Sequence, residues 1–566
     1  MSAVIEGPTL PFLALVWPLL LAALAALPVL RPRVLLLLPI APLPGLAVAL
    51  LAPHGVETRV PDLLFGVSLA LDAPSAAMLG VAAGLWALAG LYALVYLKGS
   101  ARRATFTGFW CLTLAGNLGI FLARDVATFY VSFAAVSLAA YILVVHEGTE
   151  RALRAGRLYL ALAVFGEAAI LAGLIAGSAA AGSLDVAEVR ASLATMRGGD
   201  LASAALLVGF GVKAGLVPLH VWLPLAHPAA PTPASAVLSG AIVKAGIFGA
   251  MLLVPLEALG SVLATLLVAA GLGGAFAAVL AGLAQANPKA ILAYSTVSQM
   301  SLLLGALAAS AVATGAPALG AAALYAAHHG LAKGALFLAV GVVAAASGRL
   351  RTASLVVVIA LALSIAGLPP FGGALAKVAL KAPLGGLAEL LVTVSAATTA
   401  LLLLHAARVL AAQAPHTPED PRAAARLAAP FAALAIAAIV LPWLAFANLA
   451  ERPLAYALAP ANLWAGTWPV LLAAAIALLA ARLPPPIPAI PEGDLAGPLE
   501  RAATRLVLVA RARAQVRTKP LQSRGARRLG IALARTARLE TLVVRFSASG
   551  IALLAVALGT ALALVR

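Results

Sequence analysis

The chain has 566 residues, of which 63% are hydrophobic and only 10% charged, and its mean hydropathy is +1.06. So little polar surface cannot cover a soluble globule of this size, which leaves an integral membrane protein. The net charge of +18 calls for no nucleic acid, because the loops of a polytopic protein carry such charge as anchors, and the single cysteine, Cys111, excludes an intrachain disulfide or a cysteine-built metal centre from this chain alone.

A helix needs about 20 apolar residues to cross a bilayer, and roughly fifteen or sixteen such segments are predicted. They centre near residues 20, 43, 85, 113, 135, 167, 210, 243, 270, 300, 330, 365, 398, 438, 475 and 553. The first has only Glu6, and no Lys or Arg, before its apolar run, so it is expected to remain as an anchor and not to be cleaved as a signal peptide. With the N-terminus outside, most basic residues fall on the cytoplasmic side, and only Arg59, Arg124, Arg190, Arg197, Lys381, Arg452 and Arg566 fall opposite. That asymmetry follows the positive-inside rule and predicts a multi-pass protein of a bacterial-type inner membrane.

Residues 493–540 read differently. Arginines and leucines interleave there at helical spacing, interrupted by Pro498, Pro520, Gly525 and Gly530, before a last apolar run. The pattern is that of an amphipathic pair on the cytoplasmic surface, facing anionic lipid or a partner subunit, or else of a snorkelling linker. The expected organisation is N-terminal transmembrane helices (1–104), two halves of a central unit (105–255 and 256–412), C-terminal transmembrane helices (413–492), the basic segment (493–540) and an anchor (541–566).

Four lysines, Lys213, Lys244, Lys333 and Lys377, stand inside long apolar stretches. Each costs at least roughly 2.5 to 3.5 kcal/mol at mid-membrane, and the default reason for tolerating that cost is an ion path. Two of them flank helix breakers. In 209–233 Lys213 precedes Pro218, and in 364–381 the pair Pro369 and Pro370 precedes Lys377. Backbone freed by proline is tolerated at membrane depth only beside protein or water. The order of Lys and Pro reverses between segments separated by an odd number of crossings, the sign of inverted repeats with one broken helix each.

Other polar residues share these stretches. Tyr325, His329 and Lys333, spaced four apart, lie on one helix face and suit a relay. His220 falls at the first break, and Lys244 lies on a small-residue helix suited to close packing. The run Tyr294, Ser295, Thr296, Ser298 and Gln299 either lines water or bonds back to the preceding turn. His405 and Cys111 read as packing residues.

The motifs KAGLVPLHVWLPLAHPAAPTPASAVLSGAIVKAGIFG (213–249), KAILAYSTVSQM (289–300), HHGLAKGALF (328–337) and AGLPPFGGALAK (366–377) resemble those of the antiporter-like subunits of respiratory complex I. The same family includes large membrane subunits of formate hydrogenlyase and membrane-bound hydrogenases, and Mrp-type cation/proton antiporters. The resemblance covers roughly residues 105–412. It implies an all-α polytopic fold with two inverted five-helix repeats, each with a broken helix, and a hydrated lysine axis that carries protons. By resemblance Lys213 is the broken-helix lysine of the first half, Lys244 lies on the next helix, and Lys377 is the terminal lysine of the second half. His329 and Lys333, with His328 beside them, match the helix that links the halves.

One departure stands out. The family usually carries a glutamate where this chain has Ala134, and that glutamate partners the lysine matched by Lys213. The next helix holds Glu167 at comparable depth, about as far beyond the turn near residue 149 as Ala134 lies before it. Glu167 is therefore expected to serve as the relocated partner. The alternative is that it snorkels or bonds a neighbouring hydroxyl.

These readings predict a proton-translocating subunit of a larger membrane complex, using Lys213, Lys244, His329, Lys333, Lys377, Glu167, His220 and His328. No catalytic nucleophile, phosphate loop, metal or cofactor site of its own is expected. The alternatives are an Mrp-type Na⁺/H⁺ antiporter subunit, or a structural or inorganic-carbon-uptake partner whose channel is impaired. Other membrane subunits and anionic lipid are the expected partners.

Overall fold

The computed structural model describes residues 9–30, 32–414, 422–482, 490–498 and 501. The N-terminal region holds α1 (Thr9–Leu24), α2 (Leu37–Ile40), α3 (Leu43–Leu51), a hairpin of β1 (Thr58–Val60) and β2 (Val67–Leu69), and α4 (Ala73–Tyr96). Then follow α5 (Arg103–Leu122), α6 (Val126–Val144), α7 (Glu150–Ala181), α8 (Val186–Thr195), α9 (Gly199–Ala214), α10 (Leu223–Ala229), α11 (Thr232–Val237) and α12 (Lys244–Leu253). The rest comprises α13 (Ser261–Leu283), α14 (Pro288–Thr314), α15 (Leu319–Ala345), α16 (Gly348–Ala366), α17 (Gly372–Lys381), α18 (Gly386–Ala412), α19 (Ala423–Ala450), α20 (Leu454–Ala457) and α21 (Pro460–Arg482).

Among the described residues thirteen helical stretches are long and apolar enough to cross a membrane, so this is a multi-pass membrane protein. The other three predicted segments have specific fates. The segment near residue 20 is a shorter apolar helix, that near 210 is divided by the first break, and that near 553 lies outside the described residues. Most of the basic segment 493–540, and the whole of the anchor 541–566, also lie outside them. The fold is all-α as expected, with one short hairpin between helices in which β1 and β2 pair antiparallel, Thr58 against Leu69 and Val60 against Val67. β-branched residues flanking the loop-forming PDLLFG run favour that pairing.

Polar residues do their work at helix ends. Asp72 and Ser75 form a reciprocal capping box at α4, and Asp125, Thr149, Asp185 and Asn287 accept from backbone N–H groups at the starts of α6, α7, α8 and α14. Inside lipid such groups have no water to turn to, so the caps also hold the crossings in register.

The stretches 232–253, 288–314 and 319–345 are buried almost throughout, whereas α18 and α21 expose apolar faces. The centre is thus α11, α12, α14 and α15, with α4, α13, α17 and α19 packed around it. Glycine permits a close crossing at this centre: a Cβ on Gly330 of α15 would stand 2.6 Å from the Gly240 carbonyl oxygen. This contact lies beside Lys244, His329 and Lys333 and fixes their spacing.

Candidate functional site

The first break follows Lys213. α9 ends at Gly215, whose φ of 74° lies in the left-handed region, and helix resumes only at Leu223. The carbonyls freed at the end of α9 are not left bare: Leu216 N donates to Gly211 O at 2.9 Å, and the Trp222 indole donates to Val212 O at 2.8 Å. Lys213 is therefore fixed in the last turn of a half-helix, buried, with its ammonium 4.9 Å from the Phe133 ring centroid. Its Nζ donates to Ser137 Oγ, and Ser137 Oγ in turn donates to Glu167 Oε1. Tyr159 OH anchors the same turn by donating to Ser137 O at 2.8 Å. Glu167 is buried and its second carboxylate oxygen has no partner among the described residues.

The second group forms where α11 passes into α12 through a π-turn, Leu238–Ile242. Widening the helix there presents the Ser239 carbonyl to Lys244, whose Nζ donates to it at 2.5 Å. The same Nζ lies 2.9 Å from His329 Nδ1 on α15. Ser239 Oγ lies 2.7 Å from Thr296 Oγ1, which donates to Leu292 O at 3.1 Å, and Lys333 Nζ donates to that carbonyl at 2.6 Å. A continuous polar thread thus joins Lys244, His329, Ser239, Thr296 and Lys333 across three helices. One turn away, Tyr325 OH donates to Gln299 Oε1, and Gln299 Nε2 donates to Thr399 Oγ1 at 3.0 Å.

The third group sits at the second break, between α16 and α17. Lys377 Nζ donates at 3.1 Å to Ala366 O, one of the carbonyls left without a helical partner when α16 ends. His328 Nε2 lies 2.9 Å from Ser364 Oγ, which also accepts from Gly373 N at 3.3 Å. The Val217–Pro218 and Pro369–Pro370 peptide bonds are both cis.

The structure therefore brings Glu167 to Lys213 through Ser137, and Lys244 to His329 and, through the thread, to Lys333. His328 and Lys377 both meet the end of α16. His220 joins none of these groups and instead faces Asp494 of the C-terminal segment, with 3.2 Å between Nε2 and Oδ2. His405 Nε2 lies 2.9 Å from Gln285 O, and Cys111 is buried with a free thiol. Among the described residues no cluster of three or more His, Cys, Asp or Glu side chains is arranged to hold a metal.

Three residues escaped the sequence reading. Ser137 lies one turn beyond Ala134, so the place of the missing carboxylate did point toward it. His227 is fully buried, stacks on Phe337 with ring centroids 4.4 Å apart, and has no hydrogen-bond partner for either ring nitrogen among the described residues. Phe337 also receives Lys333, whose ammonium stands 5.7 Å from its centroid, so His227 borders the central group. Asp494 gave no local signal at all.

Buried lysines and histidines threaded through apolar helices, two of them at helix breaks, define a polytopic membrane protein with a polar axis in its interior. Residues 123–402, about half of the chain, match the family described as NADH:quinone oxidoreductase/Mrp antiporter, transmembrane, and this stretch belongs to that family of antiporter-like membrane subunits. Hydrogenase-4 component B of Escherichia coli is 35% identical over 293 residues, 49% of this chain and 43% of that protein. NADH-quinone oxidoreductase subunit N of Desulforudis audaxviator is 31% identical over 335 residues, 55% of this chain and 66% of its own length. In fold the chain is similar to a subunit in the structure of the Mrp complex from Dietzia sp., with a TM-score of 0.71 at 24% identity over 94% of this chain and 63% of that one. The chain thus spans less than half the length of the hydrogenase component it matches.

Proposed function

We propose that this chain translocates protons as one membrane subunit of a larger complex of the hydrogenase or complex I kind. The carrying observation is the series of buried basic groups from Lys213 to Lys377, each held by a carbonyl, a hydroxyl or another titratable side chain. Nothing about packing requires four lysines at membrane depth, and the cost of burying them is offset by use. Protons would pass between Glu167, Ser137 and Lys213 at one break, through Lys244, His329 and Lys333 at the centre, and to His328 and Lys377 at the other, with water bridging the gaps. Lys213 precedes its break and Lys377 follows its own, which supports reading 105–255 and 256–412 as inverted halves. The N-terminus would face outside, the basic segment would lie on anionic lipid or a neighbouring subunit, and the redox chemistry would belong to other subunits.

A second reading, a cation/proton antiporter subunit of the Mrp type, is favoured by the likeness to the Mrp complex. One assay serves both. The full-length chain in proteoliposomes, energised by a potassium diffusion potential, should acidify or alkalinise the lumen as read by an internal pH dye. Flux unchanged by sodium supports the proton reading, and flux that requires sodium supports the antiporter. An impermeable vesicle overturns both and leaves a scaffold.

A further inference from the structure

The short segment 490–498 does not hang free but lies across the first break. Gln285 Nε2 donates to Ile490 O at 3.0 Å, and Arg151 of α7 meets Glu492 at 2.5 Å. Gly493, with φ of 74°, packs so tightly on Leu225 of α10 that a Cβ would stand 2.8 Å from its side chain. These contacts deliver Asp494 to His220. The His220 ring is only 2% exposed, whereas the Asp494 side chain keeps 20% of its surface open. On the far side of the imidazole, Nδ1 is buried without a partner among the described residues.

We infer that Asp494 and His220 form a proton-exchange site at the mouth of the first broken helix, Asp494 taking protons from the aqueous phase and His220 passing them inward. This rests on the proton-translocating reading above. A proton from water binds the carboxylate and moves to Nε2, and the imidazolium releases the Nδ1 proton toward the interior. A half-turn of the ring then swings the protonated nitrogen inward and the bare nitrogen back to Asp494, which resets the pair with no charge stranded. An imidazole with one nitrogen on a half-open carboxylate and the other facing inward has the geometry of such a relay. Arg151 on α7 holds the neighbouring Glu492. Lys289, whose Nζ donates to Ala230 O at 2.8 Å at the end of α10, lies within electrostatic range of Arg151, and the Tyr294 ring of α14 lies 6.0 Å from His220. Burial raises the Asp494 carboxyl, but the hydrogen bond and charge of His220 outweigh it and keep the group ionised between transfers.

The test uses full-length wild type, Asp494→Asn and Asp494→Glu in proteoliposomes, with proton flux read with and without formate in the bath. Asp494→Asn is expected to lower flux about tenfold or more at an unchanged melting temperature, as for loss of a positioned proton carrier. Formate, a diffusible carboxylate, restores it, and Asp494→Glu retains most of it. Wild-type flux in Asp494→Asn overturns the site, as does a loss that neither formate nor Asp494→Glu repairs, which is the behaviour of a packing residue. Absence of flux in the wild type removes the proton reading and this site with it.

Discussion

Glu167 and Lys213, on the neighbouring helices α7 and α9, are joined through a single hydroxyl, that of Ser137 on α6. The carboxylate stands one helix away from the Ala134 position, and the serine one turn beyond Ala134 spans the distance. If the three act as a unit, Glu167→Gln and Ser137→Ala should each cut proton flux about tenfold or more. Ala134→Glu added to Glu167→Gln should return part of it, because the charge comes back at similar depth. Normal flux in Glu167→Gln would assign the carboxylate a packing role only.

The central thread makes a second expectation. Lys244→Ala and Lys333→Ala each remove a donor from the set built on Ser239, Thr296 and Leu292. Each should lower flux about tenfold or more while the chain still folds, since no carboxylate is left unpaired by the change. Flux and thermal melting measured on the same preparation separate loss of transport from loss of structure.

Packing gives a third. Gly330→Ala would put a methyl 2.6 Å from the Gly240 carbonyl oxygen, so α15 and the π-turn must part. The cost should be about 1 to 3 kcal/mol, the range for overpacked cores, seen as a lower melting temperature in detergent. Alanine at Gly273, which has open space around it, is the control and should be nearly neutral.

Docking of the C-terminal segment should depend on pH. Burial alone raises the Asp494 carboxyl, but the hydrogen bond and charge of His220 outweigh it, and the net value lies below the ordinary 3.8. A carboxyl depressed in the folded state stabilises above its unfolded value and loses that contribution as pH falls through the folded one. A fluorophore on Leu495→Cys, in a Cys111→Ala background, should therefore report release only on acidification below about pH 4. Asp494→Asn should abolish the pH dependence, and a transition near neutrality in the unmodified pair would contradict the assignment.

The sequence carried the axis but not its wiring. Lys213, Lys244, Lys333 and Lys377 were legible because a charge in an apolar run is costly wherever the run lies, and Pro218, Pro369 and Pro370 marked the breaks for the same local reason. Which groups meet is a matter of helix packing. Nothing local says that Lys244 turns to His329, since a π-turn sets its direction. Ser137 looked like any membrane serine that bonds back to its preceding turn, and its Oγ does stand 3.1 Å from Phe133 O, the acceptor its proton would take if Glu167 were absent. His220 at the break was legible, but its partner stands 274 residues away in a segment whose composition spoke only of arginine and leucine.

The most direct measurement of the central claim is proton flux through proteoliposomes carrying Lys377→Ala. Lys377 is buried at the second break and held by the free Ala366 carbonyl, with no other lysine among the described residues in the hydrogen-bonded group around it. Loss of flux with an unchanged melting temperature is expected if protons follow the lysine and histidine axis to its end. Full wild-type flux from those vesicles would contradict that path.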